Sequence, residues 1–347
     1  MTLRILRAGI DTLEVSFCGD VSEQVAEELD RAKSAAFVTP QPFPAGFVEM
    51  MVQGKAYGWW RWRMVCPEFA VVMKKGGAPG GVTAQVWFSA YGLANRTPGD
   101  LWGLVRMTME CLGTFKPLSV SRCDVCADVQ GWVPTLKNMA GIVCAASYRG
   151  THGTEKDVQT FDYGKGAAMM RIYNKTVELD VHQKGWMREL WGHSQDYDPS
   201  EDVWRVEFQA RRTILKELGL HTVEHALSNP GALLDYGLSW CNLRVPTPDA
   251  TKTRWPEDPT WTALRKAVFG GVPLGRSVLP SSVMNLDQVK SRVIGNVATA
   301  GAYFGTTDWL KTLQMLSMLI EVHMMDEGID FAARVEDKRR RILSGDQ

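Results

Sequence analysis

The chain carries no excess charge of either sign. Its 39 lysines and arginines balance 39 aspartates and glutamates over 347 residues, for a formal net charge of zero. A protein that coats nucleic acid regardless of sequence is ordinarily basic, so any contact with DNA has to come from local patches. No apolar run of about 18 or more residues occurs, which excludes a membrane-spanning helix. The first residues include Arg4 and Arg7 and form no apolar signal core, so the expected location is the cytoplasm, with no membrane partner. Seven cysteines, an odd number scattered through a long chain, suit reduced thiols better than a disulfide framework. The glycine-rich stretch from Lys74 to Gly81 lacks the Gly-Lys-Ser/Thr ending and the following helix of a phosphate loop, and reads as a turn.

What is present is the composition of a soluble globular protein, 45% hydrophobic and 22% charged. The length suggests two domains, or one large domain with an appendage. Alternation predicts an opening strand over 11–17, strands over 57–65, 69–75 and 82–89, a strand around Asp124, and a pair over 158–164 and 169–178 joined by Gly164-Lys-Gly166. Helices are expected over 22–36 with Ser22 as N-cap, from Thr97 to Leu112, over 135–145, 187–191, 213–228 and 230–242. After Pro246-Thr-Pro248 the pattern turns mostly helical, notably over 286–300 and 309–325, with 270–279 as a connector. The expectation is an α+β fold. A central, mostly antiparallel sheet presents a polar catalytic face, helices cover its other face, and a helical C-terminal region follows. Residues 1–245 would form the first domain and 246–347 a region for DNA binding or dimerisation.

Three short segments carry the chemistry: Ser121-Arg-Cys-Asp-Val-Cys-Ala-Asp128, Met170-Arg-Ile-Tyr-Asn-Lys-Thr-Val-Glu178 and Val203-Trp-Arg-Val-Glu-Phe-Gln209. Residues two apart share a face of a strand. Arg122, Asp124, Cys126 and Asp128 therefore point one way, opposite Cys123, Val125, Ala127 and Val129. Arg171, Tyr173 and Lys175 oppose Met170 and Ile172, and Arg205, Glu207 and Gln209 oppose Trp204, Val206 and Phe208. Such a face, with tyrosine among carboxylates, arginine and lysine, is what metal-assisted phosphoryl transfer through a phosphotyrosine needs. The plainer reading is a set of surface ion pairs across an open sheet.

Other motifs compete for attention. Trp59, Arg61 and Arg63 fall on one face of the 57–65 run, where they could stack bases and hold phosphates, while Trp60, Trp62 and Met64 would face the core. His221-Thr-Val-Glu-His225 matches the inverted zinc-protease pattern, which would put His221 and His225 on one side of a helix with Glu224 as the base. The thiols of Cys123 and Cys126 would point to opposite faces of a strand and so form no pair. The basic run Lys338-Arg-Arg-Arg341 suits a solvated helix end.

In order and spacing, Asp157-Val-Gln-Thr-Phe-Asp-Tyr-Gly164, Met170 to Glu178 and Trp204-Arg-Val-Glu-Phe208 resemble the replication initiation factor family. That family comprises rolling-circle plasmid initiators, filamentous-phage replication proteins and relaxases of some conjugative elements. Ser121 to Asp128 is similar to its Arg-x-Asp-x-x-x-Asp strand and Asp11 to Phe17 to its opening strand; the likeness spans about residues 8–240. Lys165 departs from the family's small polar residue after the glycine. The resemblance implies a metal-dependent nicking–closing endonuclease that cuts one strand at a replication origin, holds the 5′ phosphate on tyrosine and leaves a 3′ hydroxyl. Tyr173 would be the nucleophile, with Tyr163 as rival. Asp124 and Glu207 would be the leading ligands for Mg²⁺ or Mn²⁺, Glu178 and Asp128 the second candidates, and Lys175 and Arg171 the groups that stabilise phosphate charge. Arg122, Arg205, Arg61, Arg63 and Trp59 would contact DNA. Asp124 and Asp128 stand ~13 Å apart in a regular strand, so a single ion cannot touch both without a bulge. With no His-hydrophobic-His triplet in the chain, the metal would rest mainly on carboxylates. Expected partners are origin DNA, as duplex and extruded single strand, a host helicase and a second copy of the chain. The alternatives are a non-catalytic DNA-binding regulator of a phage or plasmid and, more remotely, a zinc hydrolase.

Overall fold

The computed structural model describes residues 3–77, 80–154, 158–182, 185–267 and 286–336. Strand β1 (Arg4–Cys18) leads through helix α1 (Glu23–Ala35) to β2 (Gln41–Ala45), β3 (Val48–Val52), β4 (Trp62–Val65), β5 (Phe69–Met73) and β6 (Ala84–Phe88). Helices α2 (Ala90–Asn95) and α3 (Pro98–Leu112) precede the long strand β7 (Lys116–Gln130). Then come α4 (Leu136–Met139), β8 (Ile142–Cys144), β9 (Arg149–Gly153), β10 (Val158–Tyr163) and β11 (Ala168–Asn174). The helices α5 (Lys175–His182) and α6 (Trp186–Trp191) lead to β12 (Trp204–Arg211). Next are α7 (Arg212–Glu217), α8 (Val223–Ser228), α9 (Pro230–Trp240), β13 (Cys241–Leu243) and α10 (Pro259–Ala267).

Eleven strands form one sheet in the order β2-β3-β4-β5-β6-β1-β7-β12-β11-β10-β9, and β8 pairs separately with β13. Each of these pairings is antiparallel. The architecture is α+β, as the alternating segments predict. One face of the sheet is apolar throughout: Leu13, Val15, Phe17, Trp62, Met64, Val86, Val125, Ala127, Ile172, Val206 and Phe208 belong to a single buried cluster. Residues of α1, α3, α8 and α9 complete that cluster, among them Leu29, Trp102, Val105, Val223, Leu233 and Leu238. Gly237 lets α9 close on the sheet, since a Cβ there would lie 2.4 Å from the Phe208 ring. Two helix starts follow their sequence signals: Ser22 accepts a hydrogen bond from Val25 N–H, and Thr97 accepts one from Asp100 N–H.

Several elements depart from expectation for local reasons. The strand predicted over 169–178 ends at Asn174, whose side chain accepts a hydrogen bond from Val177 N–H at 3.1 Å and so starts α5 at Lys175. The helix predicted over 135–145 stops before Gly141, where a Cβ would lie 2.1 Å from the Arg244 carbonyl oxygen; β8 follows instead. The 213–228 helix is split at Gly219, which has φ +74°. The 57–65 run becomes a strand only from Trp62. The connector over 270–279 and the run at Lys338 lie outside the described residues.

Contacts divide the chain into Met1–Arg276 and Ser277–Gln347. The expected boundary lay at 245/246; Trp261 and Leu264 of α10 belong to the core of the first unit. The second unit contains α11 (Leu286–Phe304) and α12 (Trp309–Asp326), the latter capped by Asp308, which accepts a hydrogen bond from Lys311 N–H at 2.9 Å. No helix among the described residues is long and apolar enough to cross a membrane.

Candidate functional site

The three chemistry-bearing segments become neighbours, β7, β12 and β11, near the middle of the sheet. Their register lines up the polar face. Gln209 stands opposite Asp124, Arg205 opposite Asp128, and Glu207 between Cys126 and Arg171. Tyr173 stands opposite Arg205 on one side and Thr160 on the other. Beyond β11, Asp162 of β10 faces Arg171. The odd-even alternation of each segment is what turns these side chains to one side and their neighbours to the core.

At one end of this face the charges are sealed. Arg205 and Asp128 are fully buried. The Arg205 guanidinium donates to Asp128 at 2.6 and 2.9 Å and to Asp11 at 2.5 Å, and it lies 3.4 Å from the Met187 sulfur. Trp191 of α6 donates its indole N–H to Asp128 at 2.9 Å. Burial raises the Asp128 pKa, but Arg205 outweighs it and holds the carboxyl below the usual carboxylate range. Arg205, a candidate for DNA contact, is thus enclosed inside the protein, where no phosphate reaches it. Asp128, a second candidate for metal, has both oxygens engaged. Asp11 was not among the candidates. A register shift between Ile10 and Thr12 in the β1–β7 pairing brings it into the face, and only chain geometry reveals that.

Tyr173 occupies the middle. Its hydroxyl donates to Glu207 Oε2 at 3.0 Å and accepts from Lys175 Nζ at 3.4 Å. Lys175 is paired with Glu178 at 2.6 Å, so this metal candidate serves as the lysine's counter-ion. Arg171 lies 3.6 Å from Glu207 and 3.2 Å from Asp162, whose other oxygen meets His152 Nε2 at 3.1 Å. Burial, reinforced by Asp11, raises the Glu207 pKa and makes this carboxylate a stronger base. Burial also pushes the Tyr173 phenol well above 10, against the pull of Arg205. In this state Tyr173 is a neutral hydroxyl pointed at a base. The rival, Tyr163, lies on the other face, inside the core cluster.

Asp124 is nearly fully buried, and the Arg122 guanidinium holds it by two nitrogens, Nε at 2.9 Å and Nη2 at 2.5 Å from Oδ2. Arg122 also reaches Glu14 at 3.4 Å, so this DNA-contact candidate is shared between two carboxylates. Burial lifts the Asp124 pKa to about 7, opposed by Arg122 and assisted by Glu207. Asp124 and Glu207 are carboxylates on one face that repel each other, and Arg122 engages both Asp124 oxygens, so a cation there would have to compete with the guanidinium. Among the described residues, no group of three or more His, Cys, Asp or Glu side chains is placed to hold a metal ion.

The far end of the face differs. Trp59 and Tyr57 are exposed, Trp59 stacks on Trp60 at 4.5 Å, and Lys74 lies 4.3 Å over the Trp59 ring. Arg63 sits 4.6 Å over Tyr57, which contacts Trp87 of β6. Arg61 does not share their side. It pairs with Asp30 of α1, on the helical face, because strand alternation starts only at Trp62. The zinc pattern also comes apart. Helix α8 begins at Val223 with Thr222 as its cap, so His221 precedes the helix, and Glu224 accepts from Trp102 at 2.9 Å.

No protein-family model matches the chain. It is similar to an uncharacterised protein, ORF430, of Pseudomonas phage Pf1, with 22% identity over 243 residues covering 62% of this chain. The chain spans about half the length of that relative, 55% of it. Among solved structures it is similar to a rolling circle replication initiator protein from Geobacillus stearothermophilus, with 15% identity, a TM-score of 0.47, and coverage of 80% of this chain and 100% of that one.

Proposed function

We propose that the chain is a DNA nicking–closing enzyme that starts rolling-circle replication at an origin through a 5′-phosphotyrosine. The observation that carries this reading is the Tyr173 hydroxyl held between the Glu207 carboxylate and the Lys175 ammonium. A phenol with a raised pKa is a weak nucleophile until its proton has an acceptor and its oxygen a cation. Glu207, with its own pKa raised, accepts that proton, and Lys175 steadies the phenolate oxygen. The phenolate oxygen then bonds to phosphorus, the bond to the 3′ oxygen breaks, and that oxygen leaves protonated by solvent as the 3′ hydroxyl. Arg171, beside Glu207, would offset charge on the phosphate. Mg²⁺ or Mn²⁺ would supply further neutralisation of the phosphate, held by Asp124 and Glu207. Tyr57, Trp59, Arg63 and Lys74 would bind the single strand through its bases and backbone. Origin duplex, a host helicase and a second copy of the chain belong to the same proposal.

A second reading, a DNA-binding regulator without catalysis, is favoured by the burial of Tyr173, 9% exposed. One experiment separates the two. Protein is incubated with labelled single strands from its element's origin and Mg²⁺ or Mn²⁺, then run on a denaturing gel beside Tyr173→Phe and Tyr163→Phe. The nicking reading expects a metal-dependent covalent adduct lost only in Tyr173→Phe. That variant should lose about 1–3 kcal/mol of stability, because the missing hydroxyl bonds both Glu207 and Lys175. Duplex binding without adduct or nick would leave the regulator reading standing.

A further inference from the structure

A pair of cysteines lies outside this site. Cys144 of β8 and Cys241 of β13 are directly opposite in the two-stranded antiparallel sheet. Backbone bonds flank them: Ala145 N–H to the Trp240 carbonyl at 3.2 Å, and Arg244 N–H to the Gly141 carbonyl at 3.1 Å. Hydrogen-bonded and non-bonded pairs alternate along such a ladder, so Cys144 and Cys241 occupy a non-hydrogen-bonded position. There Cα atoms approach to ~4.5 Å, inside the range of about 4.4–6.8 Å that a disulfide spans. The two side chains therefore face each other across the ladder, and Ala146 N–H donates to the Cys144 sulfur at 3.5 Å.

The two sulfurs differ in access. Cys144 is partly exposed and Cys241 is fully buried. The hydrogen bond from Cys241 and that from the Ala146 backbone bring the Cys144 thiol down to about 7, while burial holds Cys241 well above the ordinary thiol value. A partly exposed sulfur that ionises near neutrality, directly opposite a buried partner in the ladder, is the arrangement of an attacking thiol with a resolving one.

We propose that Cys144 and Cys241 are a redox modification site that closes reversibly to a cross-strand disulfide in the presence of a small disulfide oxidant such as oxidised glutathione. Cys144 thiolate attacks one sulfur of the oxidant, the oxidant's S–S bond breaks, and the first glutathione leaves. Cys241 gives its proton to solvent and attacks the Cys144 sulfur, and the second glutathione leaves. The pair loses two electrons and one glutathione disulfide gains them. The bond would tie β8 to the end of α9, the helix that packs through Gly237 on Phe208 of β12.

The test uses the full chain equilibrated with oxidised glutathione, quenched with an alkylating agent and analysed by intact mass and peptide mapping. The expected product has lost two hydrogens and carries a Cys144–Cys241 cross-link, reverts with reductant, and melts several degrees higher. Cys241→Ser should stop at one glutathione on Cys144. Cys144→Ser should give neither cross-link nor adduct at Cys241, which covers the case in which the buried substitution fails to fold. A persistent glutathione adduct on wild-type Cys144, a cross-link elsewhere, or two free thiols after oxidation would overturn the proposal.

Discussion

Two regions of the sheet treat charge in opposite ways. Around β7, β12 and β11, Arg205, Asp128, Glu207, Asp124 and Lys175 are all buried, and each is engaged by a partner of opposite charge or by a hydroxyl. Around β4, Trp59 is 64% exposed, Tyr57 is exposed, Arg63 and Lys74 are half-buried, and on the helical face the Arg61–Asp30 pair is open to water. Buried charges fix geometry and shift one another's proton affinities because water cannot screen them. Exposed ones are screened by water and can trade their partners for a ligand. On the nicking reading proposed above, the first region would hold reacting groups at fixed positions and the second would contact the single strand.

The largest effect should come from breaking the sealed pair. Asp128→Asn leaves the Arg205 charge buried beside Asp11 alone and takes an acceptor from Trp191. Removing one partner of a buried ion pair costs about 3–5 kcal/mol, to be read as a lower denaturant midpoint. A loss under about 1 kcal/mol would mean that this end behaves like a surface pair and would erase the contrast.

Next in size is the response of the exposed end to DNA. Trp59→Ala should weaken single-strand binding by about 1–3 kcal/mol, the worth of one base–aromatic stack, and leave the denaturation midpoint where it was. Titrating a fluorescent oligonucleotide into both proteins checks this. An unchanged affinity would remove Trp59 from the binding surface.

Proton linkage sharpens the comparison further. The folded-state pKa of Asp124 is about 7, above its ordinary 3.8, so the folded state holds this proton more tightly. Its stabilising contribution is complete below the unfolded value and is lost as pH rises toward 7, with a slope of at most about 1.4 kcal/mol per unit. Asp128 and Asp11 act oppositely: their pKa values are lowered, so their contribution is present above the ordinary carboxylate value and fades as pH falls through the folded one. Stability of wild type measured from mildly acidic to neutral pH should therefore fall across this window. Asp124→Asn should flatten the fall, and an unchanged slope would assign it to other groups.

How much of this was legible follows from what alternation encodes. Val203 to Gln209 alternates strictly, and the structure turns Trp204, Val206 and Phe208 to the core with Glu207 on the polar face. The same rule placed Asp124 and Tyr173. At Lys175 the strand reading stops, because the Asn174 side chain starts a helix, although Lys175 still reaches Tyr173 as the alternation implied; the rule failed at Arg61, which lies one residue before β4 and turns to α1. It was silent on Asp11, because a bulge has no period, and on the cover that Trp191 and Met187 of α6 place over Asp128 and Arg205. Such long-range contacts depend on how elements meet, which local pattern does not carry.

The smallest effect belongs to the Arg61–Asp30 pair, and it tests the contrast most directly. Both side chains are more than 40% exposed, Arg61 47% and Asp30 41%, although Asp30 also accepts from the Trp62 indole N–H at 2.8 Å. Replacing the arginine therefore removes a screened attraction and leaves the carboxylate hydrated and still bonded to Trp62. Arg61→Gln should cost between about 0.2 and 1 kcal/mol, shrinking further in high salt as screening shortens the reach of the charge. A double-mutant cycle with Asp30→Asn, run beside one on Arg205 and Asp128, compares the two couplings in the same protein. The sealed pair should show the larger, salt-insensitive coupling. Equal couplings with equal salt dependence would mean that burial does not distinguish the two pairs.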